Sequence, residues 1–233
     1  MGVRLGRVVV ISLLLSAIVV SPKAQAQVAP TNDEIRLYRG LHAAAASGDD
    51  LTIRRLLALK SNPNALDSYG RTPAHVAAHF KRRKALAALL KGGTNPNSLE
   101  RDRYDIITIA AVANDPETIK VALRCGARPT NVTSRYDGTA LIAASHLGHV
   151  ESVRVLVDAG APLNHINNLG WTALLEAIIL GDGGARHTKV VTMLVVAGAD
   201  LQIADAAGVT PLQHAQARNY TAIARILRRA GAR

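Results

Sequence analysis

A single cysteine, Cys125, stands among the 233 residues, so no disulfide can form within the chain and no cysteine pair is available to hold zinc. Aromatic residues are nearly as scarce, at 3%, against a hydrophobic content of 48%. The apolar interior therefore consists of small aliphatic side chains, which suits stacked helices better than a β-sandwich. Acids are few beside bases, 17 against 28, giving a formal charge of +11 and a predicted pI near 10.4. Such a protein is drawn to anionic surfaces. No His-Glu-x-x-His is present, and no carboxylate cluster of the kind that metal or acid–base sites use. Nothing in the sequence marks an enzyme, and no cofactor is implied.

What is present begins with the N-terminus. Arg4 and Arg7 open it, Val8 to Val20 form an apolar run of 13 residues broken only by Ser12 and Ser16, and Ala24-Gln25-Ala26 follows. A charged start, an apolar middle and a small-x-small end make a secretory signal peptide over residues 1–26, with the cut between Ala26 and Gln27. The competing reading is a retained anchor, but roughly 20 apolar residues are needed to span a bilayer. No cysteine lies near the cut to carry a lipid. The expectation is a protein exported to the periplasm, with release to the exterior as second choice and no stable membrane insertion after cleavage. Losing Arg4, Arg7 and Lys23 lowers the formal charge from +11 by three, to +8.

The segment from Gly138 to Asn164 organises the remainder. It reads as two short helices: Ala143 and Ala144 allow close packing of the first, Gly148 turns the chain, and Val153, Leu156 and Val157 give the second an apolar stripe. Gly160 stands where a helix ends in a left-handed residue. Neither helix alone can bury that stripe, so the unit must stack on copies of itself. Thr139 recurs as Thr72, Thr172 and Thr210, at a period of 33 residues or 33 with small insertions.

The second repeat carries Gly70-Arg71-Thr72-Pro73-Ala74-His75-Val76-Ala77-Ala78. This resembles the Gly-x-Thr-Pro-Leu-His-x-Ala-Ala frame of the ankyrin repeat family, and exported bacterial ankyrin proteins in particular. The resemblance covers Leu37 to the end. It implies an all-α solenoid of about six helix-turn-helix repeats with short β-hairpin-like finger loops. The expected boundaries are 34–66, 67–99, 100–133, 134–166, 167–204 and 205–233 within one domain, 27–233. Thr31 and Glu34 form a capping box that opens a helix running through Leu37 and Leu41 to Ser47. The third repeat departs most from the frame, with Arg103 in the glycine place and Asp105-Ile106 in place of Thr-Pro. By that departure it is the weak link of the stack. The fifth carries an insertion within residues 181–188.

The eight histidines invite a metal or catalytic reading, but His75 and His214 fall in or beside the Thr-Pro-Leu-His frame, where the family's histidine braces backbone, and His149 falls at the family's Gly-His position. Gly181-Asp182-Gly183-Gly184 lacks the strand and lysine of a phosphate loop and reads as a flexible tip. Its Asp182, Arg186 and His187 are candidate accessory contacts. Cys125 reads as a partly buried small residue, and Asn131-Val132-Thr133 as a chance glycosylation pattern.

In the ankyrin family the residues around Gly-x-Thr form fingertips, and two positions after the Ala-Ala pair face the groove. Those places hold Tyr69, Arg71, His79 and Phe80; Arg101, Arg103 and Tyr104; Arg135, Tyr136, His146 and Leu147; and Leu169, Trp171, Ile179 and Leu180. Tyrosine, tryptophan and arginine dominate protein–protein hot spots. The expected function is thus a non-catalytic, monomeric module that binds another protein, with an acidic surface, through its concave face. An effector acting on a host protein and an accessory subunit of an envelope enzyme are the alternatives. The other reading of Tyr69 and Trp171 is that they merely brace neighbouring fingers. A basic, aromatic groove also suits stacked nucleobases, but an exported protein rarely meets nucleic acid.

Overall fold

The computed structural model describes residues 27–233; the signal peptide expected over 1–26 and its Ala26 lie outside the described residues. Thirteen helices are present among them, running α1 (Asn32–Leu37), α2 (Gly40–Ser47), α3 (Asp50–Ala58), α4 (Pro73–His79), α5 (Arg83–Lys91), α6 (Ile106–Val112), α7 (Pro116–Arg124), α8 (Ala140–His146), α9 (Val150–Asp158), α10 (Ala173–Ile179), α11 (Ala185–Val196), α12 (Pro211–Ala217) and α13 (Thr221–Arg229). From α2 onward they form six antiparallel pairs. The even-numbered helices pack on one another in one layer and the odd-numbered in a second, giving an all-α solenoid.

The layer of even-numbered helices is built from small residues. Ala77, Ala110, Ala144, Ala173 and Ala177 are wholly buried, so successive helices approach closely. The odd-numbered layer supplies bulk through Ile53, Leu86, Leu89, Ile119, Leu156, Val190 and Leu194. Each repeat contacts only its neighbours, so stability accumulates as repeat and interface terms. Asparagines tie the loops across that interface: Asn64 Oδ1 accepts from Asn95 N at 2.8 Å, Asn97 Oδ1 from Arg128 N at 2.9 Å, and Asn164 Oδ1 from Asp200 N at 2.9 Å.

The fingers share one construction. The first side chain of each turn accepts backbone N–H groups from two and, in most fingers, four residues on: Asp67 from Tyr69 and Arg71, Glu100 from Asp102 and Tyr104, Ser134 from Tyr136, Asn167 from Leu169 and Trp171, and Asp205 from Ala207 and Val209. The fourth residue is left-handed every time: Gly70, Arg103, Asp137, Gly170 and Gly208. Single backbone bonds stitch neighbouring fingers, Arg101 N to Tyr69 O at 3.1 Å, Ser134 N to Arg103 O at 2.9 Å and Asn168 N to Tyr136 O at 2.9 Å.

Two expectations are corrected. The helix opened by the Thr31–Glu34 capping box does not continue to Ser47. It stops at Tyr38, whose backbone is extended (φ −60°, ψ 142°), and α2 begins afresh at Gly40. The Tyr38 hydroxyl donates to Asp67 at 2.7 Å, which turns α1 toward the second finger. The Gly181–Thr188 insertion is also no loose tip. Its end becomes the first turn of α11, and the Tyr220 hydroxyl donates to Gly181 O at 2.8 Å. A Cβ on Gly183 would lie 2.3 Å from the Tyr220 ring, so the tip is packed shut.

Candidate functional site

The third and fourth fingers, with α6, α8 and α10, enclose a cavity of about 210 Å³. Tyr104 and Tyr136 come from successive fingers, Thr108 and Val112 from α6, Ile142, Ala143 and His146 from α8, and Leu147 from the turn after it. Asn167 and Glu176 lie at the far end, and Gln27 enters from the N-terminal segment. Small-molecule clefts usually span about 300–1,000 Å³, so this one suits one or two side chains of a polypeptide.

Its wall is mostly apolar, but Glu176 is nearly fully buried in it. Glu176 Oε1 accepts from Asn167 Nδ2 at 3.0 Å. Oε2 lies 3.2 Å from His146 Nδ1 yet makes no hydrogen bond of acceptable geometry. A carboxylate oxygen thus faces an apolar, aromatic-lined space with an acceptor to offer. Burial pushes the Tyr104 hydroxyl pKa upward, helped by the charges of Asp102 and Glu100, so Tyr104 stays a neutral donor.

Of the fingertip and groove positions singled out by sequence, Tyr104, Tyr136, His146 and Leu147 come together here. Arg71 does not belong to the open surface. It is wholly buried, its Nε donating to Asp67 at 2.8 Å and its Nη2 paired with Glu34. The turn of α1 toward the second finger brings Glu34 over it. Tyr69 is braced: its ring lies between the Arg71 and Arg101 guanidinium groups, 4.7 and 4.8 Å from its centroid, and its hydroxyl donates to Asp102. Arg101 is exposed and also donates to Ser68 O at 2.6 Å. Arg103 is exposed and pairs with Asp137 at 3.1 Å. Arg135 is exposed, its neighbour Tyr136 half-buried.

The remaining positions lie outside the cavity. His79 is half-buried, its pKa pushed down to about 4, first by burial and then by the Arg71 charge. Phe80 packs on the core. Leu169 is exposed, while Trp171, Ile179 and Leu180 are half-buried along the fifth repeat.

The insertion residues divide. His187 is buried, with Nδ1 2.7 Å from Asp182 Oδ1 and Nε2 donating to the His146 carbonyl at 2.9 Å. It staples α11 to the fourth repeat and is no surface contact, which corrects the expectation. Asp182 is exposed but engaged by that staple, and Arg186 lines a separate depression with Asn114, Gly148 and His149. Other histidines brace backbone likewise: His75 Nε2 meets Ser98 O at 3.0 Å and His149 Nδ1 meets Ala111 O at 2.9 Å. Among the described residues no group of three or more His, Cys, Asp or Glu side chains could hold a metal ion. No helix among them is long and apolar enough to cross a membrane.

Glu176 was missed by the sequence reading, though a signal existed. It stands four residues after Thr172, where sister helices place Val76 and Ala143 after Thr72 and Thr139. The last repeat has His214 at the same place, bonded to Asp205 at 2.8 Å as Glu176 is to Asn167, so a polar residue here marks either a finger-to-helix network or a ligand contact.

Two family models match this chain: ankyrin repeats (3 copies) over residues 107–205 and ankyrin repeats (many copies) over residues 41–90. The ankyrin repeat protein YahD of Escherichia coli (strain K12) is 32% identical over 191 residues, 81% of this chain and 94% of that protein. A solved ankyrin repeat domain from Acinetobacter baumannii AYE superposes with a TM-score of 0.79 at 41% identity, covering 83% of this chain and 98% of that one. A second solved ankyrin repeat protein gives 0.76 at 29% identity, covering 84% of this chain and all of its own. With the repeated finger turns, the alternating helix layers and these matches, the chain belongs to the ankyrin repeat family.

Proposed function

We propose that this protein is an exported, non-catalytic binding module that holds a partner protein on the face formed by its fingers and its layer of even-numbered helices. Ankyrin repeat domains are in general protein–protein interaction modules. The observation that carries the reading here is the Tyr104–Tyr136 cavity with the open Glu176 oxygen at its end. Two half-buried tyrosines give rigid contact area at low entropy cost, and a buried acceptor rewards a partner side chain that donates a hydrogen bond. Arg101 and Arg135 are exposed at equivalent positions of the third and fourth fingers. They favour a partner that is acidic around the inserted side chain, since rim charges steer association.

Export rests on the charged, apolar and small-residue order of residues 1–26, and the expected compartment is the periplasm. A crosslinking pull-down from the envelope fraction tests the whole reading, with Tyr136→Ala as control. Recovery of a partner by the wild-type chain and its loss with the folded variant is the expected result. Equal recovery by both removes the cavity from the interface. A protein recovered with residues 1–26 intact on the membrane rejects cleavage.

A further inference from the structure

The groove is not free of the chain's own residues. Residues 27–34 precede the first helix pair, and their contacts fall on the finger and groove side of later repeats. Glu34 pairs with Arg71, Arg71 Nη1 donates to Val28 O at 3.3 Å, and Gln27 reaches the cavity between the third and fourth fingers. The segment therefore runs from the second finger to the fourth. Glu34 fixes its heading, because Oε2 accepts from Thr31 N at 2.8 Å while Oε1 takes the Arg71 guanidinium. Pro30 is buried, whereas Val28, Ala29 and Thr31 remain exposed, so the attachment rests on Gln27, Pro30 and Glu34 with the Val28 carbonyl.

Two buried polar atoms in that cavity lack partners, and they are complementary. Gln27 Nε2 is a donor with no acceptor, and Glu176 Oε2 is an acceptor that makes no hydrogen bond, although His146 Nδ1 stands 3.2 Å away. Leaving either buried and unpaired is costly. The cavity volume of about 210 Å³ leaves room for bridging water, each taking roughly 30 Å³.

We propose that residues 27–34 form an intramolecular strap, anchored by Glu34 on Arg71 and by the Gln27 carboxamide, which reaches Glu176 through water in the cavity, and that it occupies the partner's groove until a partner displaces it. The final clause rests on the binding function proposed above; the strap itself does not. It also names what the partner brings: an extended segment whose side chain donates a hydrogen bond to Glu176.

The test uses the full chain with Val28→Cys carrying a nitroxide label and Cys125→Ala to leave one thiol. Val28 is 44% exposed, so the label does not disturb packing. With the strap seated, the amide signals of Tyr136, His146 and Leu147 disappear in the oxidised state and return on reduction, while those of α13 keep their intensity. Adding Gln27→Leu and Glu34→Gln should restore most of the lost intensity. Because the Glu34→Gln change removes a partner of buried Arg71, it should lower the circular dichroism melt. Gln27→Leu alone, which should restore part of the intensity at an unchanged melt, is therefore measured beside it. Full intensity at Tyr136 and His146 in the oxidised chain without those substitutions overturns the strap. Loss that persists unchanged in the double variant overturns the two anchors. No partner enters this measurement, so its failure leaves the groove-binding reading intact, and a failed pull-down leaves the strap intact.

Discussion

The second and third fingers make the same turn from different residues. Asp67 and Glu100 hold the first positions and accept equivalent backbone bonds. Gly70 takes the left-handed place in one, at φ 75°, and Arg103 in the other, at φ 64°. Thr72 caps α4 with His75 in a reciprocal box, while Asp105 caps α6 by accepting from Thr108 N at 2.7 Å. What differs in consequence is the fifth residue. Arg71 turns inward and is sealed by Asp67 and Glu34, whereas Tyr104 borders an open cavity. The shape of a finger is set by its first acceptor and its cap, and the fifth residue decides whether the finger is scaffold or surface. In the third repeat Asp105 supplies the cap that threonine provides elsewhere, and its other oxygen accepts from Asn131 at 2.8 Å.

The sharpest way to break the comparison is at that fifth residue. Arg71→Ala takes the buried cation away from Asp67, which keeps only the Tyr38 hydroxyl and its backbone donors, and from the partly exposed Glu34. Removing one side of a buried ion pair costs about 3 kcal/mol or more. Tyr104→Ala, at an open cavity, should cost about half of that in folding stability. Urea unfolding of both variants decides it; equal losses would mean that Arg71 behaves as a surface residue.

Binding should show the opposite order. Tyr136 lines the cavity, whereas Tyr69 is held between Arg71 and Arg101 and bonded to Asp102. Tyr136→Ala should weaken partner affinity by about 2 kcal/mol, roughly thirtyfold, as for a buried anchor. Tyr69→Ala should change affinity less than threefold while lowering the melting temperature. Titration of the recovered partner with each folded variant measures both, and the reverse ranking places the interface on the second finger.

The difference between these two tyrosines could not be read from the sequence. Repeat period, helix pairing, finger turns and caps are local and were legible in Gly-x-Thr and the Ala pairs. Arg71, His187 and the break at Tyr38–Arg39 depend on partners brought in by the fold: Glu34 lies 37 residues from Arg71, and the carbonyl bonded by His187 lies 41 residues away. An arginine and a tyrosine beside a finger turn look alike as hot-spot candidates until the α1 segment covers one of them. Glu176 was legible only as an anomaly of position.

Protonation separates the same two repeats. The second has His75 and His79, and burial lowers both pKa values, that of His79 to about 4. The third has Thr108 and Val112 at those places. An unfolded histidine titrates near pH 6.5. Between that value and about pH 4 the unfolded chain therefore binds a proton that the folded chain refuses. Stability is full above pH 6.5 and falls as the pH drops through that window. For His79 the loss from pH 7 to 5 is about 1–2 kcal/mol. His79→Val, copying Val112, should flatten that share of the pH dependence in chemical unfolding at the two pH values. An unchanged slope would show that His79 is protonated while folded.

The smallest effect isolates the left-handed residue itself. A side chain held in that region costs roughly 1 kcal/mol relative to glycine, and Arg103 bears that cost at a place where Gly70 does not. Against it stands the Arg103–Asp137 ion pair, but both side chains are about half exposed, at 50% and 48%, and such pairs contribute about 0–1 kcal/mol. Backbone strain should win. Arg103→Gly is therefore expected to stabilise the fold by up to about 1 kcal/mol, and Gly70→Ala to destabilise it by about the same amount. Space does not decide the second case, because a Cβ on Gly70 meets nothing closer than Arg101 N at 3.5 Å. Asp137, left-handed at the same place in the fourth finger, supplies the control. Arg103→Gly in an Asp137→Gly background should retain its gain, since no ion pair remains to be lost. If Arg103→Gly instead destabilises the wild-type chain and is neutral in that background, the ion pair outweighs the strain, and the two substituted fingers hold each other in place.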